Sequence, residues 1–340
     1  MTATQSTRGV DHFRLGMMFA VGSAMTFGLS GPLAKSLMDA GWSPTGAVTA
    51  RMAVGALAMA LFATIVRRGW IREALTHRRM VVAYGIFPIA GAQLCYFNAV
   101  AHLSVGVALL LEYSAPILVV GWLWATTRRR PTNLTLAGVA LAVAGIMLVL
   151  NVFAGAHINA VGVAWGLAAA VCAASYFMLS DRVAAGDDDD ESLSPITLAA
   201  GGLIIGAATT GALGVTGVMP LTFTTNDTVI GGLTMSWIVP LVALGVVTTA
   251  IAYTLGIMGI SRLRPRFASL VGLSEVMFAV LAAWVMLGQA ITVTQAVGGA
   301  VVLIGLALAR QGDRSEKVRA ATWPDTGGVD ELTPCSRANG

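Results

Sequence analysis

Ten long apolar runs follow one another along the chain, separated by short polar gaps. Each is close to the ~20 residues that cross a bilayer as an α-helix. They lie at Leu15–Ala34, Pro44–Val66, Val81–Ala101, Val105–Ala125, Leu134–Val152, Ala160–Leu179, Pro195–Val218, Met235–Met258, Ala268–Leu287 and Val293–Ala309. None shows the apolar/polar alternation of a barrel strand, and a helix satisfies its backbone donors internally, as lipid demands. The pattern predicts an all-α integral membrane protein with ten transmembrane helices, numbered helix 1 to helix 10 below.

Charge fixes the expected orientation. Of the 21 Lys and Arg residues, all but Lys35 and Arg51 fall in the tails or in alternate gaps. Arg8 and Arg14 precede helix 1. Arg67, Arg68, Arg72, Arg78 and Arg79 lie between helices 2 and 3, and Arg128, Arg129 and Arg130 between helices 4 and 5. Arg182 follows helix 6, Arg262, Arg264 and Arg266 separate helices 8 and 9, and Arg310, Arg314, Lys317, Arg319 and Arg337 follow helix 10. The other gaps (38–43, 102–104, 153–159, 219–234 and 288–292) hold no Lys or Arg. By the positive-inside rule the chain is a multi-pass protein of the inner (plasma) membrane with both termini cytoplasmic.

Composition agrees, with mean hydropathy +0.77 and 56% hydrophobic against 11% charged residues, outside the soluble globular range. The apolar run of helix 1 is too long for a cleavable signal and no small-x-small site follows it. Residues 1–14 read as a cytoplasmic tail and 311–340 as a polar, disordered one. Cys95, Cys172 and Cys335 give neither a disulfide framework nor a metal spacing. The acidic run Asp187–Glu191, in the cytoplasmic connection of about 181–194, reads as a solvated charge run rather than a cation site.

The chain also carries an internal repeat. Residues 103–150 align without a gap on 263–310, a shift of 160, with eleven of 48 positions identical, among them Trp124/Trp284, Thr132/Thr292, Gly138/Gly298 and Gly145/Gly305. The arginine-rich loop between helices 4 and 5 then corresponds to an arginine-free loop between helices 9 and 10, and the loops 3–4 and 8–9 differ the opposite way. Two five-helix repeats of inverted topology follow, 15–153 and 154–310. Secondary transporters have this architecture, with the substrate site near the midplane between the repeats.

The stretch Ala268–Gly305 resembles the second half of an EamA-type carrier of the drug/metabolite transporter superfamily. The closer likeness is to bacterial threonine/homoserine exporters, carried by Leu33–Leu37 (LAKSL), Arg51, Leu110–Pro116 (LLEYSAP) and Thr248–Pro265 (TTAIAYTLGIMGISRLRP). The likeness spans all ten helices. Two departures stand out: the family's Glu-Pro in helix 9 is Glu275-Val276 here, which weakens any kink, and its Gly-Glu at the end of that helix is Gly288-Gln289, which removes a carboxylate. The resemblance implies export of a small metabolite, an amino acid or related compound.

Ionisable groups inside a membrane are costly and mark function. Glu112 in helix 4 reads as a substrate or proton site, with helix packing as the rival reading, and Glu275 in helix 9 has the same two readings. Arg51, about two turns into helix 2 from the outer side, either snorkels to the headgroups or pairs with a buried acid such as Glu112 or Glu275. Lys35 anchors the outer end of helix 1 or, facing a cavity, attracts a substrate carboxylate. Tyr96, Tyr113, Tyr176 and Tyr253 offer rings with hydroxyls at membrane depth, suited to packing or to a mixed polar and apolar solute.

Gly28-Leu29-Ser30-Gly31 matches the Gly-x-Ser-Gly of intramembrane serine proteases. That chemistry needs a histidine base, and His12, His77, His102 and His157 all fall in tails, loops or helix edges, so no enzyme is expected. No phosphate-binding Gly-rich loop with Lys and Ser/Thr occurs, so transport is expected to run on a gradient, by proton antiport at Glu112. A drug or dye exporter and a passive channel are the alternatives. The expected partners are the substrate, the proton gradient and the lipid bilayer, with a homodimer as an open alternative and no nucleic acid, cofactor or metal.

Overall fold

The computed structural model describes residues 3–128, 130–150, 159–184, 193–260 and 265–322, and the account below concerns these. The acidic run Asp187–Glu191, the Tyr176 side chain and Cys335 lie outside them.

Six helices are long and apolar enough to cross a membrane: Arg14–Asp39, Pro44–Val66, Arg78–His102, Val105–Thr126, Pro195–Val215 and Ile238–Gly256. Four shorter apolar helices, Asn133–Val149, Ala160–Ser175, Leu273–Leu287 and Val293–Ala309, fall on the remaining runs. Large apolar side chains face outward in lengthwise stripes, Leu57, Leu61 and Ile65 on helix 2 and Met277, Leu281 and Trp284 on helix 9. Such continuous apolar surface is foreign to a soluble monomer and suits lipid contact.

Helix 5 packs along helix 10 and helix 2 along helix 7, while helix 6 lies on helices 3 and 4 as helix 1 lies on helices 8 and 9. Glycines permit the closest of these approaches. A Cβ on Gly138 would sit 2.6 Å from the Gly305 carbonyl oxygen, and one on Gly145 2.8 Å from that of Gly298. Contact thus advances along helix 5 as it retreats along helix 10, so the two run antiparallel with backbones touching through small residues.

Four of the spans are irregular. Helix 1 is two pieces, α1 (Ala3–Gly28) and α2 (Ser30–Asp39), because Pro32 has no N–H for the Gly28 carbonyl. Helix 4 likewise divides into α7 (Val105–Glu112) and α8 (Ala115–Thr127), Pro116 leaving the Glu112 carbonyl without its helical donor. Helix 3 runs from α5 (Arg78–Tyr84) through a π-helical segment, Gly85–Gly91, into α6 (Ala92–His102). Pro88 inside that segment cannot bond the Tyr84 carbonyl, which favours the wider turn. Helix 8 has its own π segment, Ala243–Ile251, between α12 (Ile238–Val242) and α13 (Ala252–Ile260). There the Thr248 and Thr249 hydroxyls both donate to the Leu244 carbonyl, at 2.7 and 3.0 Å.

The all-α expectation needs one correction. The connection from helix 7 to helix 8 contains a hairpin, β1 (Thr228–Ile230) and β2 (Leu233–Met235), turning at Gly231 and Gly232 with φ of +60° and +79°, values that glycine adopts without strain. It displaces the start of helix 8 from the expected Met235 to Ile238. Hydrogen bonds from Thr224 Oγ1 to the Ala40 carbonyl (2.8 Å) and from Gly231 N–H to that of Met286 (2.7 Å) hold this connection over the ends of helices 1 and 9.

The tails differ too. α1 begins at Ala3, within the expected N-terminal tail. α15 (Val293–Thr322) runs twelve residues past Arg310, through a stretch expected to be disordered. Residues 311–322 contain no proline and several good helix formers, and Gly312 seats the extension against Thr132 and Thr135 at the start of α9 (Asn133–Val149). Between helices 2 and 3 a short helix, α4 (Trp70–Thr76), replaces the expected loop.

Candidate functional site

Arg51 sits on α3 (Pro44–Val66), 3% exposed. A guanidinium so placed must find acceptors, and it finds neutral ones. Nε donates to Thr249 Oγ1 at 3.1 Å, Nη1 to Ser30 Oγ at 2.7 Å and to Gln93 Oε1, and Nη2 to the Thr248 carbonyl at 3.3 Å. The Phe97 ring centroid lies 5.6 Å from its central carbon, a cation–π distance. Every polar partner belongs to an irregular stretch: Ser30 follows the break in helix 1, Gln93 the π segment of helix 3, and Thr248 and Thr249 lie inside the π segment of helix 8. Arg51 therefore ties four helices together where their geometry departs from α. It neither snorkels nor ion-pairs with an acid among the described residues.

Glu275 lies in α14 (Pro265–Leu287), which is unbroken through this point, in keeping with Val276 in place of a proline. Its Oε2 accepts the Tyr113 hydroxyl at 2.7 Å. Tyr113 caps the end of α7, one residue after Glu112, so the break in helix 4 faces helix 9 through this bond. Glu112 itself is partly buried, and its carboxylate receives no hydrogen bond among the described residues. Both carboxylates act electrostatically on Arg51, and on each other. One cation and two acids thus share a low-dielectric interior without direct salt bridges, so each interaction is stronger than in water.

Three of the tyrosine candidates surround this centre. Tyr96 is buried, its hydroxyl against Gly31, where a Cβ would collide with it. The Tyr253 ring meets Phe27 edge-on at 5.1 Å. Tyr113 holds Glu275. Lys35 does not join them. It pairs with Asp39 at 3.0 Å and lines a cleft of about 370 Å³ with His102, Ser104, Gln289 and Gln295. A neighbouring cleft of about 510 Å³ is lined by Asp39, Asp227 and Gln289. Gln289 also accepts the Val105 N–H at 3.3 Å, so the residue in place of the family's glutamate caps the start of helix 4. Ser30, of the protease-like motif, is bonded to a cation rather than a base.

Sequence reasoning assigns Ser30, Gln93, Thr248 and Thr249 no part in a site with Arg51: Ser30 enters only through the protease-like motif, and the two threonines only within the Thr248–Pro265 stretch. Gln93 alone leaves a signal, as an amide inside an apolar run. Nothing local marks the others.

The model of the EamA-like transporter family matches residues 14–151 and again 160–311. The threonine/homoserine exporter RhtA of Escherichia coli (strain K12) is 28% identical over 274 residues, 77% of this chain and 80% of its own. RhtA of Salmonella typhimurium (strain LT2) is 28% identical over 271 residues, 76% of this chain and 79% of its own. A solved crystal structure superposes with a TM-score of 0.56 at 20% identity, covering 88% of this chain and 98% of the other, a likeness of fold.

Proposed function

The chain belongs to the EamA-like transporter family, and on that premise we propose that it is a secondary active carrier exporting a small metabolite of the amino-acid class. It is a multi-pass membrane transporter and not an enzyme. The substrate class rests on the relatives, whose names give threonine and homoserine.

The observation that carries the reading is the interior set of the buried Arg51 and the partly buried Glu112 and Glu275. Glu112, lacking a hydrogen-bond donor among the described residues, is the group available to a substrate ammonium or a proton. Glu275 and Arg51 are engaged by neutral partners that a substrate or proton would displace. Proton antiport through Glu112 is the proposed coupling, because a carboxylate held inside the membrane can exchange a proton. A broken helix at the site is what carriers use to expose polar backbone to a solute.

The proposed architecture is ten spans in two inverted repeats, 15–153 and 154–310, with both termini cytoplasmic. Three features support it. The family model matches twice. The glycines equated by the shift of 160 contact each other reciprocally, Gly138 with Gly305 and Gly145 with Gly298. The same shift carries the π segment Gly85–Gly91 onto residues 245–251, within that of helix 8.

Counterflow of labelled threonine and homoserine in proteoliposomes, with and without a pH gradient, tests the reading. Saturable counterflow accelerated by the gradient is expected. Linear, gradient-insensitive flux would indicate a channel, and transport of cationic dyes in place of amino acids would indicate the drug-exporter alternative.

A further inference from the structure

The elbow between helices 2 and 3 is built as a surface rather than a linker. α4 turns one face inward: Trp70 is buried, and Glu73, Ala74 and His77 are partly covered, the spacing of one helical stripe. Trp70 Nε1 donates to Thr64 Oγ1 at 3.0 Å. Glu73 accepts the Ser194 N–H at 2.6 Å, the Thr197 hydroxyl at 2.7 Å and Arg67 Nε at 2.8 Å. It is the only acid between residues 61 and 84, so its capture removes negative charge from the outer face. There Arg68, Arg72, Arg78 and Arg79 are exposed around Ile71 and Leu75, themselves 57% and 66% exposed. The lipid-facing stripe of helix 2, ending in the exposed Ile65 and Val66, leads directly into this face.

We propose that the outer face of α4 and its flanking arginines bind the headgroups of anionic phospholipids, with Ile71 and Leu75 entering the acyl boundary. Cationic side chains interspersed with apolar ones at the end of a membrane helix match that interface, and arginine bonds phosphate through two N–H groups at once. The rival occupant is the chain's own acidic run, which ends three residues before Ser194. A run of aspartates would neutralise the arginines but leave two aliphatic side chains in water, which favours the lipid. Only the leaflet, cytoplasmic, rests on the orientation proposed above.

The test is the association of spin-labelled phosphatidylglycerol and phosphatidylcholine with the full-length protein in mixed vesicles. Phosphatidylglycerol should be preferred several-fold, the preference shrinking as salt is raised from about 0.05 to 0.5 M. It should fall at least about twofold in the Arg68→Gln/Arg72→Gln variant, while Ile71→Ser/Leu75→Ser should weaken both lipids alike. Equal association of the two lipids with the wild-type protein, or a preference untouched by the arginine changes, overturns the proposal. So does a preference that emerges only when Asp187–Glu191 are neutralised, which would identify the acidic run as the occupant. The wild-type salt series decides the matter even if a variant fails to fold. The assay involves no transport and no sidedness, so failure of the carrier reading or of the topology leaves its outcome intact.

Discussion

The Tyr113 hydroxyl donates to Glu275 Oε2 across 2.7 Å, joining the break in helix 4 to the unbroken helix 9. Replacing the donor by Tyr113→Phe leaves a partly buried carboxylate one hydrogen bond short, at a cost of about 1–3 kcal/mol. The expected result is a lowered melting temperature in detergent together with altered transport, and unchanged values for both would show that the bond carries neither stability nor function.

Glu112→Gln keeps size and hydrogen-bonding capacity and removes ionisation. The variant should insert and fold, yet lose gradient-driven export by about tenfold or more, equivalent to about 1.4 kcal/mol or more in the barrier. Glu275→Gln should reduce export less, because the amide still accepts from Tyr113. Wild-type rates and pH dependence in Glu112→Gln proteoliposomes would return that residue to a packing role.

Arg51 should tolerate no substitute. Arg51→Met leaves the Ser30 hydroxyl and the Gln93 amide without this donor, while the Thr249 hydroxyl keeps its bond to Leu244, and each buried polar group left unsatisfied costs about 1–3 kcal/mol. Arg51→Lys keeps the charge but lacks the fork that reaches helices 1, 3 and 8 together, so thermal unfolding should place it between wild type and Arg51→Met. A lysine variant as stable as wild type would argue against the hub.

The charged members of the site stand out in the sequence because an ion inside an apolar run is costly and therefore conspicuous. Their neutral partners do not. Serine and threonine are ordinary in transmembrane helices, and what brings Ser30 and Thr249 to Arg51 is the crossing of helices far apart in sequence. The spans were readable from hydropathy, yet the hairpin and α4 were hidden in gaps chosen only for lacking apolar length. Pro32 and Pro116 mark the two breaks in advance. The π segment of helix 8, with no proline, has no such mark.

Acid should loosen the elbow. Partial burial pushes the Glu73 carboxyl up, but the Ser194 N–H, the Thr197 hydroxyl and Arg67 outweigh it and hold the group below its ordinary value. Its stabilising contribution is complete above the unfolded carboxylate pKa of about 4.3 and is lost as pH falls through the lower native value. Hydrogen exchange at the Ser194 amide should therefore reveal opening in acid, after correction for intrinsic rates, with Glu73→Ala, which has no acceptor, already open at neutral pH.

A reporter active only outside the membrane should be silent when fused after Arg310 and active near Asp227, in the hairpin connection. The reverse pattern would overturn the proposed orientation.

Each π segment is a helix carrying one residue more than its α-helical length requires. The wider turn absorbs that residue, because five residues there close the turn that four close in α geometry. Deleting one residue within Gly85–Gly91 would therefore let helix 3 heal into continuous α geometry with Gln93 still facing Arg51 and Tyr96 still facing Gly31, whereas the same deletion between Gln93 and Tyr96, in α6, would turn everything beyond it by about 100° and take Tyr96 off Gly31. Both chains would be equally apolar and their spans equally long, so by hydropathy they would be the same protein. The phase of helix 3, counted in single residues, is thus a coordinate of the site in its own right, and substitutions, which preserve length, cannot probe it.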